Sequence, residues 1–452
     1  MVAAVQRCNP RSGNRAFCKA AEGKLNTAML HAVSAFWRTR RLARRLRSRD
    51  DVVCWRERQL RRFFNRTLRR VPFYAAGETV SIGDLPIMDK ATLLANFDRL
   101  NTKAVTLAEA RAALARGEDR VRGLVVGQST GTSGNRGVFV ISEAERFTWL
   151  GVILAKTLPD FPWVRHRVAL ILPGFGRLYA SAAETGRLTL RFFDLSSGLA
   201  SWRNALLAYA PDTILAPPKV LRLLAEAGGL RPGRVFSGAE VLDPLDRRII
   251  EAGFGTVVRE IYMATEGLFG VGCDRGTLHL AEDAVAFDWE AAGGLVAPLI
   301  TDFTRSTQVM ARYRMNDLLR LSPTPCSCGS PLQAVTAIEG RRDDMFLLPG
   351  RAGAIAMTPD VIRNAVVDAD RRIEDFRVVQ IGADEIELAL AADLPSEVFA
   401  SAAAALQAAV SKVGAAPVRI RYCAGLVPPL DRKLRRVRRD WAPTGRPPTG
   451  GE

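Results

Sequence analysis

The sequence predicts a two-part α/β protein, with a large amino-terminal domain built on covered sheets and a small α+β domain at the carboxyl end. Three observations carry that expectation. From about Val121 to Asp317, short β-branched runs alternate with helical segments and Gly-rich turns, the pattern of a sheet covered on its faces. Near Arg341 the pattern shifts to a strand pair, an Ala-rich helix and a further strand. The chain has 452 residues, 48% hydrophobic and 25% charged, enough for a large core and at least one more domain.

In chain order, the residues before Ala28 lack an apolar signal core and read as a disordered extension, with Met29 as an alternative start. From Leu30 to about Arg70 apolar residues recur at helical spacing through Trp55, Leu60, Phe63, Phe64 and Leu68, with Arg on the outer face. Pro72 ends that pattern. Val168–Leu172, Asp212–Leu215, Arg234–Phe236 and Val257–Ile261 read as buried strands, and Val220–Ala227 and Pro244–Ala252 as helices between them. Phe376–Ile381 and Glu385–Leu390 read as a hairpin, Pro395–Val413 as a helix and Val418–Tyr422 as a strand. The expected boundaries are 1–50 for a basic extension and helix, 51–340 for the large domain, 341–440 for the small one and 441–452 for a disordered tail.

Lys plus Arg number 64 against 47 Asp plus Glu, a net charge of +17. The excess gathers in Arg38–Arg49 and Arg432–Arg439, read as solvated helix faces of an Arg-rich chain. No nucleic-acid module is present, so no specific nucleic-acid partner is expected. No apolar run reaches the ~18 residues of a membrane span. Seven unevenly spread Cys form no disulfide framework, and a reducing cytoplasm is the expected compartment.

The sharpest local signal is Ser129-Thr130-Gly131-Thr132-Ser133-Gly134, after the apolar Leu124-Val125-Val126. Glycines among hydroxyl residues make a loop whose backbone N–H groups can wrap phosphate oxygens. It lacks the Gly-Lys-Ser/Thr ending of a nucleotidase P-loop. Tyr262-Met263-Ala264-Thr265-Glu266-Gly267 puts a carboxylate just beyond a strand end, where it can hold Mg²⁺ against a phosphate. Asp317 follows an Arg/Tyr run, and Gly340-Arg341-Arg342-Asp343-Asp344 and Lys433 come after it. Read singly, Glu266 suits a surface cap, Asp317 an ion pair with Arg312 or Arg314, and the Arg-Arg-Asp-Asp run a solvated turn. A second constellation, Cys273, His279, Cys326 and Cys328, offers a thiolate-rich shell for a structural Zn²⁺; the alternative is buried thiols beside a hydrogen-bonded His. No Ser-His-Asp triad can be assembled from the three His.

In that order, these segments resemble the adenylate-forming superfamily of acyl-CoA ligases, nonribosomal adenylation domains and luciferases. The phenylacetate-CoA ligase-like branch is the most similar group: Leu60–Phe64, Val71–Tyr74, Leu85–Lys90 and the Ser237-Gly238-Ala239-Glu240 turn match its pattern. The resemblance implies a large adenylate-forming domain, a small mobile one, and activation of a carboxylic acid with ATP. The product is an acyl-AMP, passed on to CoA, and the branch implies an aryl or arylacetic acid. Residue by residue, it implies that Ser129–Gly134 hold phosphates and that Glu266 holds Mg²⁺ with Thr265 beside the α-phosphate. Tyr262 then lies at the adenine and acyl border, with Ala239 and Glu240 near the acyl pocket. Asp317 takes the ribose, Arg341 contacts the nucleotide, Asp343 is the hinge and Lys433 is the adenylation lysine. Gly174-Phe175-Gly176 and Phe236–Glu240 are candidates for an apolar slot.

Three departures stand out. The loop continues Asn135-Arg136-Gly137 in place of Lys-Pro-Thr, Met315-Asn316 replaces Thr-Gly, and Arg432 replaces the glycine before the lysine, which makes Lys412 a second candidate. Alternatives therefore stay open: an adenylyltransferase, an enzyme loading a phosphopantetheinyl carrier protein, or a non-catalytic nucleotide-binding homologue.

Overall fold

The computed structural model describes residues 15–75, 81–128, 137–173, 184–185, 187–424 and 435–442. The expected phosphate loop Ser129–Gly134, the Gly174–Gly176 slot and Lys433 lie outside them, as does the tail from 443.

The long amino-terminal helix of the sequence reading is two helices, and the first starts earlier than expected. Helix α1 spans Arg15–Arg45 and α2 spans Arg49–Arg66. The Arg-rich period runs on through the junction, but Ser48 breaks it. Its hydroxyl accepts from Asp51 N while the Asp51 carboxylate accepts from Ser48 N, a capping box that starts a new helix. Helix α1 buries Ala32, Ala35 and Phe36 against the helix Glu143–Thr157. The approach is backbone to backbone: a Cβ on Gly151 would lie 2.1 Å from the Ala32 carbonyl oxygen.

Among the described residues, thirteen strands form one sheet with two halves. The first half is parallel, in the spatial order Leu188–Asp194, His166–Leu172, Thr213–Ala216, Arg234–Gly238 and Val258–Ala264. Four of these are the apolar runs expected from sequence, with ends shifted by up to three residues; Leu188–Asp194 was not expected. The helices between them start and stop on local signals. Pro218 opens Pro218–Ala227 and Gly228 closes it. Asp243 caps Pro244–Phe254, and Gly255 ends it in the left-handed conformation at φ +68°. Ile171, Ile214, Val235, Val258 and Ile250 make the core between these layers.

After Ala264 the chain turns back as Gly267–Gly272 and the sheet becomes antiparallel. It continues through Leu278–Leu280, Ala334–Arg341, Asp317–Leu321, Leu295–Asp302 and Val285–Ala292. The change of direction falls at the carboxyl end of Val258–Ala264. A parallel sheet that switches topology leaves a crevice there, because the next strand does not cover the strand ends.

Beyond Met345 a separate core gathers Phe346, Phe376, Val378, Leu388, Val398, Leu406 and Val437. It carries a four-stranded sheet, ordered Arg419–Ala424, Glu385–Leu390, Phe376–Gln380 and Val437–Arg439, with helices Pro359–Val367 and Ser396–Lys412. Asp440 and Trp441 still donate their backbone N–H groups to Gln380 O, so ordered contacts reach Trp441. No helix among the described residues is long and apolar enough to cross a membrane.

Candidate active site

Thr265 and Glu266 are the two residues of the turn between Val258–Ala264 and Gly267–Gly272, so a hairpin rather than a helix end presents them. The Glu266 carboxylate is held from both sides. Its Oε1 accepts from the Tyr313 hydroxyl at 3.0 Å and its Oε2 from the Thr265 hydroxyl at 2.8 Å. Each oxygen keeps a lone pair. Tyr313 comes from the short strand Tyr313–Arg314 at the edge of Leu295–Asp302. Burial, with Glu266 alongside, holds its hydroxyl far above the usual tyrosine range, so it stays a neutral donor.

Tyr262 lies two residues before the end of the same strand, fully enclosed, and donates to Asp317 Oδ2 at 2.9 Å. Burial, reinforced by Asp317, pushes this hydroxyl well up too. Asp317 opens the strand Asp317–Leu321, and Arg341 closes Ala334–Arg341 directly opposite, with Nε 3.8 Å from Asp317 Oδ1. Arg314 pairs instead with Glu290 at 2.6 Å, and Arg312 donates to Gly83 O and Leu85 O at 2.5 and 2.6 Å. Asp343 is in the turn after Arg341, where Asn316 Nδ2 donates to its carboxylate at 2.5 Å and Asn316 Oδ1 accepts from its backbone N–H.

A small recess, open to solvent, lies against Glu266. Thr265, Glu266, Tyr313, Lys90, Arg305 and Gln308 supply its polar lining, and Gly137 lies at its rim. Gly137 ends the connection from Gln128, and Gln128 pairs with Val138, so the recess adjoins the base of the loop expected to wrap phosphates. Lys90 is the first residue of the helix Lys90–Ala95, capped by Asp89. Burial lowers its ammonium below the usual lysine range; Glu266 opposes the shift and the Arg341 guanidinium adds to it. Arg305 donates to Thr265 O at 3.1 Å, while its buried Nη1 and the buried Nε2 of Gln308 have no hydrogen-bond partner among the described residues. Unmet buried donors are rare, and two in one recess suit an anion. Arg305, Gln308, Tyr313 and Lys90 were not singled out from sequence. Arg305, Gln308 and Tyr313 come from one stretch, and only tertiary packing brings Lys90 to it.

Ala239 and Glu240 lie away from this lining, after the strand Arg234–Gly238. Ala239 takes a left-handed φ of +68°, and the Glu240 carboxylate is 3.6 Å from Lys219 Nζ, both side chains buried.

The four Cys/His positions do converge. The ligand atoms of Cys273, His279, Cys326 and Cys328 lie within 4.8 Å of one another. Cys273 Sγ and Cys326 Sγ are 3.9 Å apart, and Cys328 Sγ is 3.3 Å from His279 Nε2. His279 Nδ1 is 3.1 Å from Leu332 O, which fixes the proton on Nδ1 and turns Nε2 toward the sulfurs. Backbone N–H groups of Arg275 and Ser330 point at Cys273 Sγ and Cys328 Sγ. Gly276 and Gly329 turn the chain beside them at φ +77° and +80°. The Thr277 hydroxyl holds the Cys326 thiol down, to about 6. Three sulfurs, one oriented imidazole and donors aimed at sulfur fit a soft or borderline cation such as Zn²⁺.

No protein-family model matches the chain, and no curated protein resembles it in sequence. Solved structures do resemble it in fold. A 2-hydroxyisobutyryl-CoA ligase in the postadenylation state with an acyl-AMP aligns at a TM-score of 0.61 and 18% identity, over 86% of this chain and 89% of that one. The open form of that ligase with 2-HIB-AMP and CoA aligns at 0.55 and 17% identity, over 86% and 90%. The thioesterification state aligns at 0.50 and 18% identity, over 86% and 89%.

Proposed function

The chain has the adenylate-forming fold, and we propose that it activates a carboxylic acid with ATP, releasing pyrophosphate, and passes the acyl group from acyl-AMP to the thiol of CoA. The observation that carries this reading is the recess shared by Glu266, Lys90 and Arg305 at the sheet's change of direction, beside the base of the Gly/Ser/Thr loop, with Asp317 held by Tyr262 on the strand that leads into it. In this reading Ser129, Thr130, Gly131, Thr132, Ser133 and Gly134 wrap the phosphates with backbone N–H groups and hydroxyls. Lys90 and the unmet Arg305 donor supply positive charge that the altered loop lacks. Asp317, oriented by Tyr262, accepts the ribose hydroxyls, and Arg341 lies beside it against the nucleotide. Glu266, oriented by Tyr313 and Thr265, is the group that would hold Mg²⁺, which would neutralise phosphate charge. Lys433 meets the acyl and phosphate oxygens, and Asp343 is the hinge. Ala239 and Glu240 border the acid's pocket. By resemblance to the phenylacetate-CoA ligase-like branch, the acid is aryl or arylacetic. Cys273, His279, Cys326 and Cys328 hold a structural Zn²⁺.

Pyrophosphate–ATP exchange across a panel of aryl, arylacetic and fatty acids, with and without CoA, tests this. Acid-stimulated exchange with CoA-dependent thioester product is the expected result. Exchange without a CoA product assigns the second step to a carrier protein or another acceptor. ATP binding without exchange for any acid sinks the enzymatic reading. For the metal, the purified protein should contain about one zinc per chain. Chelation should lower its melting temperature by at least about 5 °C; metal-free protein of the same stability would refute the site.

A further inference from the structure

Large hydrophobic side chains that reach solvent are not scattered evenly over this molecule. Of the ten such residues among the described ones, five fall in one place: Leu30, Val33, Trp37, Trp163 and Val164. Leu30, Val33 and Trp37 recur at helical spacing along the face of α1 opposite the buried Ala32, Phe36 and Thr39. Trp163 and Val164 follow the helix Glu143–Thr157 and meet that face. The rings of Trp37 and Trp163 stack edge to face with centroids 5.6 Å apart. Trp163 is 59% exposed and Leu30 66%. The patch is fixed, not frayed: Phe36 is buried beneath it against Phe161, and Gly151 brings the two helices into backbone contact.

The same face is cationic. Arg38, Arg41, Arg44 and Arg45 are exposed further along α1, Arg40 is half-buried among them, and Arg165 is exposed beside Trp163. None of the six has an acidic partner among the described residues, and the sequence holds no Asp or Glu between Lys24 and Arg49. Arg187 also lies here, donating to Trp163 O. An apolar stripe with paired Trp, bordered by unpaired Arg, suits the boundary between headgroups and acyl chains of an anionic bilayer. A duplex nucleic acid would reward the Arg but leave Leu30, Val33 and the Trp pair wet. A protein partner would need an acidic complement to six guanidinium groups.

We infer that the outward face of α1, together with Trp163–Arg165, docks this protein onto an anionic phospholipid membrane surface without crossing it. Each Arg near such a surface raises partitioning by about fivefold, and the effect fades as salt shortens the screening length. The test is sedimentation of the full chain with vesicles of phosphatidylcholine alone or with about 30% phosphatidylglycerol, reading Trp emission alongside. The expected result is binding to the anionic vesicles only, a blue shift in emission, and a loss of at least about tenfold between 0.1 and 0.5 M salt. Trp37→Ser/Trp163→Ser should weaken binding about tenfold or more, and Arg41→Glu/Arg44→Glu about 25-fold or more. Unchanged melting curves would confirm that each variant folds. Failure of wild type to bind anionic vesicles overturns the inference, as does binding that both variants retain. A wild-type dimer split by Trp37→Ser/Trp163→Ser assigns the face to a second copy and also overturns it. So does DNA binding lost in the charge variant without vesicle binding.

Discussion

At the candidate site Glu266 and Asp317 each accept from the hydroxyl of a buried tyrosine; where the carboxy-terminal unit touches the large sheet, the carboxylates meet guanidinium groups. Tyr313 orients Glu266 without neutralising it, while Asp317, oriented by Tyr262, also faces the Arg341 guanidinium at 3.8 Å. At the other contact, Arg436 reaches across to Asp246 at 2.7 Å while also binding Asp375 at 2.9 Å. Arg222 returns the contact to Glu374 at 3.1 Å, Arg320 meets Asp360 at 2.7 Å, and Arg363 meets Glu339 at 3.2 Å. A neutral donor leaves the acid its full charge for a ligand, and two buried strands fix its direction. Ion pairs must be desolvated to form and regain hydration when they separate, so they hold two bodies together with a small net free energy.

Substitutions can break this contrast or sharpen it. Glu266→Gln keeps the hydrogen-bonding shape but removes the charge. Acid-dependent exchange should fall by about 10²–10³-fold with little change in melting temperature, and a loss under about tenfold would show that the charge is not used. Asp317→Asn should raise the KM for ATP by about 10–100-fold in steady-state kinetics, the scale of a hydrogen bond to a charged group. Arg436→Ala leaves Asp375 and the buried Asp246 without their shared cation. The ratio of thioester formation to adenylate formation, measured separately, should change about tenfold. An unchanged ratio would make the contact a passive brace. Tyr313→Phe frees Glu266 from one neutral donor and should cost about fivefold in exchange, less than any change that touches charge.

Much of this was legible in the chain before its fold. The parallel strands are apolar runs between Gly and Pro signals, so His166–Leu172 and Arg234–Gly238 fell within a few residues of expectation. The place of Glu266 just beyond a strand end was legible, whereas Asp317 was picked out only by the Arg/Tyr run before it and by resemblance. The break at Ser48 was masked by Arg periodicity continuing on both sides, although its Ser-x-x-Asp cap is written in the sequence. The gathering of Lys90, Arg305 and Gln308 in one recess was not legible. A donor without a partner is a property of packing, and Lys90 and Arg305 lie more than two hundred positions apart in the chain.

The backbone contact at Gly151 bears on how this lineage can change. The outward face of α1 packs little against the rest of the molecule beyond the Trp37–Trp163 contact, so most of its residues can be exchanged without disturbing the fold. Residue 151 has no such latitude. The smallest possible enlargement, a single methyl, would meet the Ala32 carbonyl and the Ala35 side chain at once. Descendants that keep α1 in place must therefore keep this glycine. Those that lose it should be found with α1 displaced or deleted, and with the surface it covers repolarised.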